Sequence, residues 1–324
     1  MSQSLCVAVQ MDPLEQVNID ADSTFALMLE AQARGHELWV YPVTSLSLDE
    51  GGGKQGRVKA HARRVKVKRE HGHHASFEKE EILSLGDDTD VVLMRQDPPF
   101  DMGYITATHL LEHIHGVGKG RSLVVNDPVS VRNAPEKLLV THFPQLMPPT
   151  LIAWDSRDID AFRQKHGDII VKPLYGNGGA GIFRIKPDDG NLKALLEMHF
   201  ARSREPLMIQ RYEAAVRKGD KRIILVDGKA IGAINRVPAD GETRSNMHVG
   251  GRPEPVDLTE RDLEICESIG PYLRDHGLIF TGIDVIGDWL TEINVTSPTG
   301  LQELDRFNKI NSAGLIWDAI EKRF

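Results

Sequence analysis

Apolar positions in the first third of the chain fall into two rhythms. "SLCVAVQM", "ELWVYPV", "VVLMRQ" and "SLVVN" are short, largely apolar runs of strand length. Between the first two, Ser23 to Gly35 sets Phe25, Met28, Leu29 and Ala33 at helical spacing, with Asp22 or Ser23 as cap and Gly35 as stop. A second helix is expected around His109 to His115. Apolar strands alternating with helices predict an open, mostly parallel α/β unit. Gly51, Gly52, Gly53 and the basic run "KAHARRVKVKRE" interrupt the rhythm, and "REHGHHAS" reads as a solvated loop. Its His71, His73 and His74 have no carboxylate or cysteine at ligand spacing, which argues against a metal site.

After "NDPVSVRNAPEK" the pattern changes. A helix is predicted from Ser156 to His166, stopped by Gly167, followed by the strand "DIIVKP". "AGIFRI" leads to a helix over Asn191 to Arg202, and "LMIQRY" is another strand. "KRIILVDGKAIGAI" reads as a hairpin turning at Asp227-Gly228. Thr259 to His276 reads as a helix with Thr259 and Asp262 at capping-box spacing and Gly277 as stop. "IFTGIDVIGDWLTEINV" supplies two more strands.

Composition narrows the class. The 324 residues allow two or three domains, and 40% hydrophobic with 27% charged residues is ordinary for a soluble globular chain. A net charge of -8 argues against a bulk binder of nucleic acid or anionic membrane. No secretory signal or membrane-spanning run is read, and Cys6 and Cys266 fall on apolar faces as core residues, so the cytoplasm is the expected compartment.

Candidate chemistry begins at "VKPLYGNGGAGIFRI". Gly176, Gly178 and Gly181 spell the dinucleotide-binding fingerprint, but that motif requires a helix after the glycines. "GIFRI" alternates and stops at Pro187, so a strand is expected there instead. A P-loop is excluded as well, because Lys172 precedes the glycines. What remains is a glycine turn between antiparallel strands, able to lower backbone N–H groups onto phosphate oxygens beside the Lys172 charge.

The second constellation is "GIDVIGDWLTEINV". Glu292 and Asn294, two apart on a strand, share a face and offer hard oxygens of the kind that hold Mg²⁺ beside phosphates. Asp284 joins them only under a register condition. A plain two-residue turn at Gly287-Asp288 opposes it to Thr291, on the wrong face, whereas a longer loop or a bulge opposes it to Glu292. Arg222 opens a strand, and Arg236, Arg244 and Arg252 lie in or beside "RVPADGETRSNMHVGGRPEP", a segment long enough to act as a lid. Arginines there suit phosphates or carboxylates.

Taken together, "MDP" at Met11, "LMRQDPPFD", "KPLYGNGGAGIFR", "GDKRIILVDG", "GETRSN" and "LTEINVTSPTG" resemble the bacterial glutathione synthetases of the ATP-grasp superfamily over essentially the full chain. The resemblance implies an N-terminal open α/β domain (1–125), a central ATP-grasp lid domain (126–205) and a C-terminal catalytic domain (206–324), with α+β character in the ATP-binding half. It implies an ATP-dependent ligase that joins γ-glutamylcysteine to glycine, with Mg²⁺, or alternatively Mn²⁺, as the metal. By it Lys137 and Lys172 match the lysines on the ATP phosphates, and the loop carrying Gly176, Gly178 and Gly179 matches the flap above them. Gln210 to Tyr212 match the hinge that reads adenine, and Asp220 a residue near the ribose. Asp284, Glu292 and Asn294 match the magnesium ligands, Arg222 a group that stabilises the reacting phosphate, and Arg236 and Arg244 the substrate-covering segment. A homotetramer is the usual assembly. The chain departs from the family pattern at Asn177, in "DEGGGKQGR" and at Gly300, none of which removes a group the chemistry needs. Two other readings stay open at this point: an ATP-grasp ligase for a different peptide or amino acid, and an ATP-binding regulator without chemistry.

Overall fold

The computed structural model describes residues 4–50, 57–176, 178–239, 241, 244–245 and 250–324. Three sheets organise them. In the first, the strands Glu37–Tyr41, Cys6–Gln10, Val91–Met94 and Leu123–Val125 lie side by side and parallel, as their apolar runs require. The helix Ser23–Ala33 covers them, its first turn capped by the Asp22 carboxylate, which accepts from Phe25 N at 2.6 Å.

Two expectations for this region need correction. The second helix runs Met102–Glu112, not around His109 to His115, because Asp101 caps it by accepting from Tyr104 N at 2.9 Å. The basic run is no interruption but the strand Val58–Val67, paired antiparallel with Ala75–Ser84. Val58, Ala60 and Ala62 alternate inward, and Val65 and Val67 resume after a register shift. Lysines and arginines on the opposite positions conceal this period in the sequence. His71 and His73 do lie exposed at the hairpin turn, but His74 packs its ring edge on Phe25 and stands 2.8 Å from Leu14 O. Among the described residues no group of three His, Cys, Asp or Glu could hold a metal ion.

The second sheet is fully antiparallel, in the order Phe183–Ile185, Ile169–Pro173, Leu207–Arg211, Thr150–Ala153. With the helices Ser156–His166 and Leu192–Phe200 it buries a small core of its own, including Ile159, Val171, Leu196 and Ile209. The third runs Arg252–Pro255, Lys229–Val237, Asp220–Val226, Phe280–Ile286, Trp289–Asn294, again antiparallel. Its first hairpin turns at Asp227 and Gly228, with φ of 49° and 70°, the pair of positive values a type I′ turn demands. A Cβ on Gly228 would come within 2.3 Å of the Gly270 carbonyl, so the turn also needs glycine for space. The helix Glu260–Asp275 begins in the expected capping box of Thr259 and Asp262. Two further helices, Leu301–Asn308 and Ser312–Glu321, tie the end of the chain to its start, where Trp317 Nε1 donates to Leu27 O at 2.9 Å. No helix among the described residues is long and apolar enough to cross a membrane.

Candidate active site

Glycine-loop geometry agrees with the alternation of "GIFRI". Phe183–Ile185 pairs antiparallel with Ile169–Pro173, so a strand and not a helix follows the glycines. Gly178, Gly179 and Gly181 have φ of 60°, 82° and 71°, in the left-handed region that side chains avoid. A Cβ on Gly176 would meet Pro173 Cγ at 2.9 Å. Asn177 lies outside the described residues.

The third sheet writes the polar site as one face. Arg222 stands opposite Asp284 on the neighbouring strand, and Asp284 stands opposite Glu292 on the next. One row away, Asp220 faces Arg236 and Gly282 faces Asn294. Residues directly opposite in adjacent strands share a face, as do residues two apart, so all six side chains of these rows project together. The register condition for Asp284 is met by a bulge. Ile286 pairs with Trp289 across a two-residue turn, yet a shift between Asp284 and Val285 leaves Thr291 over and opposes Asp284 to Glu292. Thr291 Oγ1 donates to Asp284 O at 3.1 Å beside that shift. Gly282 leaves room in the row, since a Cβ there would be 3.1 Å from Arg222 Cδ.

These groups are buried and paired. Arg222 grips Asp284 with Nε at 2.6 Å and Nη2 at 3.1 Å. Arg236 Nη2 reaches Asp284 at 2.9 Å and Asp220 at 2.6 Å. Burial works against the Asp284 charge, but Arg222 and Arg236 overcome it and hold the carboxyl well below the usual range. Burial dominates at Asp220 and pushes it up to about 6, although Arg236 and Ser245, whose Oγ donates at 2.8 Å, oppose the rise.

Across the cavity stand the lysines. Lys172, on Ile169–Pro173, points Nζ to Glu292 Oε1 at 3.5 Å, and burial lowers its pKa. Lys137, on the short helix Glu136–Leu139, contacts Glu136, donates to Gly176 O at 2.6 Å and lies 3.8 Å from Glu292. Burial disfavours the Lys137 charge, yet Glu292 and Glu136 outweigh it and raise the pKa. Burial and the neighbouring Glu292 push Glu136 up to about 6. Buried groups of both signs with shifted pKa values, gathered around one cavity, mark a candidate functional site.

A cavity of 1060 Å³ unites these residues. Its lining includes Lys137, Lys172, Gly176, Gly178 and Gly179, Gln210 and Tyr212, and Asp220, Arg222, Arg236, Asp284, Glu292 and Asn294. Gln210 and Tyr212 follow from Leu207–Arg211: the Gln210 side chain donates to Thr150 Oγ1 at 3.0 Å, and the Arg184 guanidinium lies 3.8 Å above the Tyr212 ring. Their side chains are engaged, and so are the backbone N–H groups of Arg211 and Tyr212, which donate to Pro149 O at 3.0 Å and to Asp168 O at 2.9 Å. Arg244 also lines the cavity and donates to Gly179 O at 3.3 Å, joining the arginine segment to the glycine loop. Its neighbours Glu242, Thr243 and 246–249 lie outside the described residues. Arg236 and Arg252 are not loop residues: they sit on strands that pair with each other, Arg236 against Pro253 and Val237 against Arg252, so the segment leaves and rejoins the sheet at one place.

As a magnesium site the oxygens fit. Glu292 meets its lysines only at 3.5 and 3.8 Å, and Asn294 is buried with its amide nitrogen unpartnered among the described residues, so neither side chain is consumed by structure there. Asp284 is taken up by two guanidinium groups. Residues that the sequence reading passed over also line the cavity: Glu136, Arg95, Ser245 and Glu303. Arg95 had a signal, being placed at the carboxyl end of an inner parallel strand, where open α/β sheets bind ligands.

Comparison with known proteins agrees with this geometry. A family model described as the prokaryotic glutathione synthetase N-terminal domain matches residues 5–132, and one described as the prokaryotic glutathione synthetase ATP-grasp domain matches residues 136–309. The chain is 56% identical over 317 residues to the glutathione synthetase of Mesorhizobium japonicum, with 98% of each chain covered. It is 44% identical to that of Escherichia coli strain K12, again with 98% of each covered. Among solved structures it is similar to the RimK domain ATP-grasp protein of Sphaerobacter thermophilus, with a TM-score of 0.63 at 16% identity and coverage of 97% and 98%, which speaks to fold alone. An ATP-grasp fold behind a second α/β unit, and near-complete alignment with these relatives, establish that the chain belongs to the prokaryotic glutathione synthetase family of ATP-dependent ligases.

Proposed function

We infer that the protein joins γ-glutamylcysteine to glycine, consuming ATP and giving glutathione, ADP and phosphate. The observation that carries this reading is the convergence of two buried lysines, a positive-φ glycine loop and an arginine–carboxylate face on one cavity. A carboxylate is a poor acyl donor, so amide formation needs activation. The C-terminal carboxylate of the dipeptide takes the γ-phosphoryl group of ATP, the glycine amine attacks the acyl phosphate, and phosphate departs. No protein nucleophile is required, and the chain contributes position and charge.

Lys137 and Lys172 bind the phosphates from above, and the glycine loop supplies backbone N–H groups. Gln210 to Tyr212 receive the adenine, and Asp220 lies toward the ribose. Arg222, anchored by Asp284, stabilises charge on the transferring phosphoryl and on the tetrahedral intermediate. Arg236 and Arg244 hold the acceptor side. Glu292 and Asn294, with Asp284 behind them, would hold Mg²⁺ or Mn²⁺, which supplies neutralisation of the phosphate oxygens when bound. We further assign the units 1–125, 126–205 and 206–324 as N-terminal, lid and catalytic domains, the cytoplasm as the compartment, and a homotetramer as the assembly. The test is glycine-dependent phosphate release with γ-glutamylcysteine and Mg·ATP, with glutathione identified by mass. Release that a different amine or acid supports better would move the substrate.

A further inference from the structure

Three arginines of the described residues are buried: Arg95, Arg222 and Arg236. Two of them have carboxylate partners, Asp284 and Asp220. Arg95 has none among the described residues, although it is only 6% exposed. Its Nε donates to Thr24 Oγ1 at 3.0 Å and its Nη2 to Pro298 O at 3.1 Å, both neutral acceptors. Nη1 has no hydrogen-bond partner among the described residues. Behind the guanidinium lies the Phe280 ring, with its centroid at 5.2 Å. The nearest influences of opposite sign, Asp22 and Asp97, act on it without forming an ion pair, and burial is the stronger effect, lowering its pKa. Tyr104, near enough to share this field, also carries a buried hydroxyl with no partner among the described residues.

A buried guanidinium without an anion is costly, and a cavity-lining arginine in that state is most simply completed by a ligand anion. Arg95 lines the same cavity as Lys137 and Lys172. It follows Val91–Met94 at the carboxyl edge of the first sheet, whereas the reacting groups stand on the second and third. Pro298 lies between them, its carbonyl on Arg95 and its Cβ 3.1 Å from where a Gly282 side chain would begin, beside Arg222. Glycine must attack next to the phosphates, so its own carboxylate stays within two carbons of the reacting atoms. The dipeptide alone has an anion at the end remote from the activated carboxyl.

We propose that Arg95 binds the α-carboxylate at the γ-glutamyl end of the dipeptide substrate and so selects a γ-glutamyl group over other acyl groups. This rests on the glutathione-forming reading above. Its test compares γ-glutamylcysteine with 4-aminobutyrylcysteine, which lacks only the α-carboxylate, in the wild type, R95K and R95A. The wild type should prefer γ-glutamylcysteine by about a hundredfold or more in kcat/KM, because a buried polar group strongly rejects an analogue that leaves it unpaired. R95A should lose most of that preference by failing on γ-glutamylcysteine while handling the analogue as the wild type does, with the KM values for glycine and ATP unmoved. R95K should fall between. Equal losses on both dipeptides, or a rise confined to the glycine KM, would overturn the assignment. Should R95A not fold, judged by its thermal transition, the wild-type preference and R95K still decide, and a wild type indifferent to the α-carboxylate overturns it. A wild type that turns over neither dipeptide would bring down the underlying reading, and this proposal with it.

Discussion

Replacing Arg222 with alanine should separate its two tasks. The side chain makes two hydrogen bonds to Asp284, at 2.6 and 3.1 Å, and both partners are almost fully buried. Removing one member of a buried ion pair costs about 3–5 kcal/mol. Arg236 remains on Asp284 at 2.9 Å, so the lower end applies, about 3 kcal/mol. For a chain of 324 residues unfolding as one unit, with about 2.1 cal/mol/K of unfolding entropy per residue, that corresponds to a fall in Tm of roughly 4 °C. If Arg222 also acts on charge that develops during phosphoryl transfer, kcat should fall about a hundredfold or more. The KM for ATP should move by less than about threefold, since ground-state phosphate contacts lie with the lysines. Steady-state phosphate release, measured below the variant's transition temperature, reads both quantities. R222K should recover part of the stability but little of the turnover, because an ammonium cannot reproduce the two-point grip. Losses of equal size in kcat and in ATP affinity would refute the reasoning.

Three further outcomes follow from the same geometry. Gly178→Val places a β-branched residue at a φ of 60°, and should raise the ATP concentration needed for half-maximal turnover; unchanged ATP kinetics would count against the flap. Asn294→Ala should raise the Mg²⁺ requirement by about tenfold at saturating ATP, whereas an unaltered Mg²⁺ titration would remove Asn294 from the metal site. Glu136 has its pKa raised from 4.5 to about 6 in the fold, so its contribution to stability is present below pH 4.5 and lost as pH rises through about 6. Unliganded protein should therefore lose about 2 kcal/mol from this group across that window, and E136Q should lack the loss when denaturant midpoints are compared at pH 4.5 and 7.

Where local chemistry decides structure, the sequence was readable. Asp227-Gly228 demanded its hairpin, Thr259 and Asp262 their capping box, and the alternation after Gly181 a strand. Metal-type residues on Trp289–Asn294 were legible because a strand has a strict period of two. The bulge that aligns Asp284 with Glu292 was not, since no residue between them marks it and tertiary packing selects it. The strand Val58–Val67 was hidden by its charges, although its small apolar residues kept the period. Nor could the pairing of Arg222 and Arg236 with acids, or the isolation of Arg95, be read from residues far apart in sequence. Those facts depend on how three sheets meet around one cavity.

The central claim is best tested by phosphate release from the purified protein with Mg·ATP, γ-glutamylcysteine and glycine, leaving out each component in turn. The account predicts release only when all are present, with glutathione appearing in equal amount by mass. Release that ignores glycine, or ATP binding with no release under any combination, would contradict it.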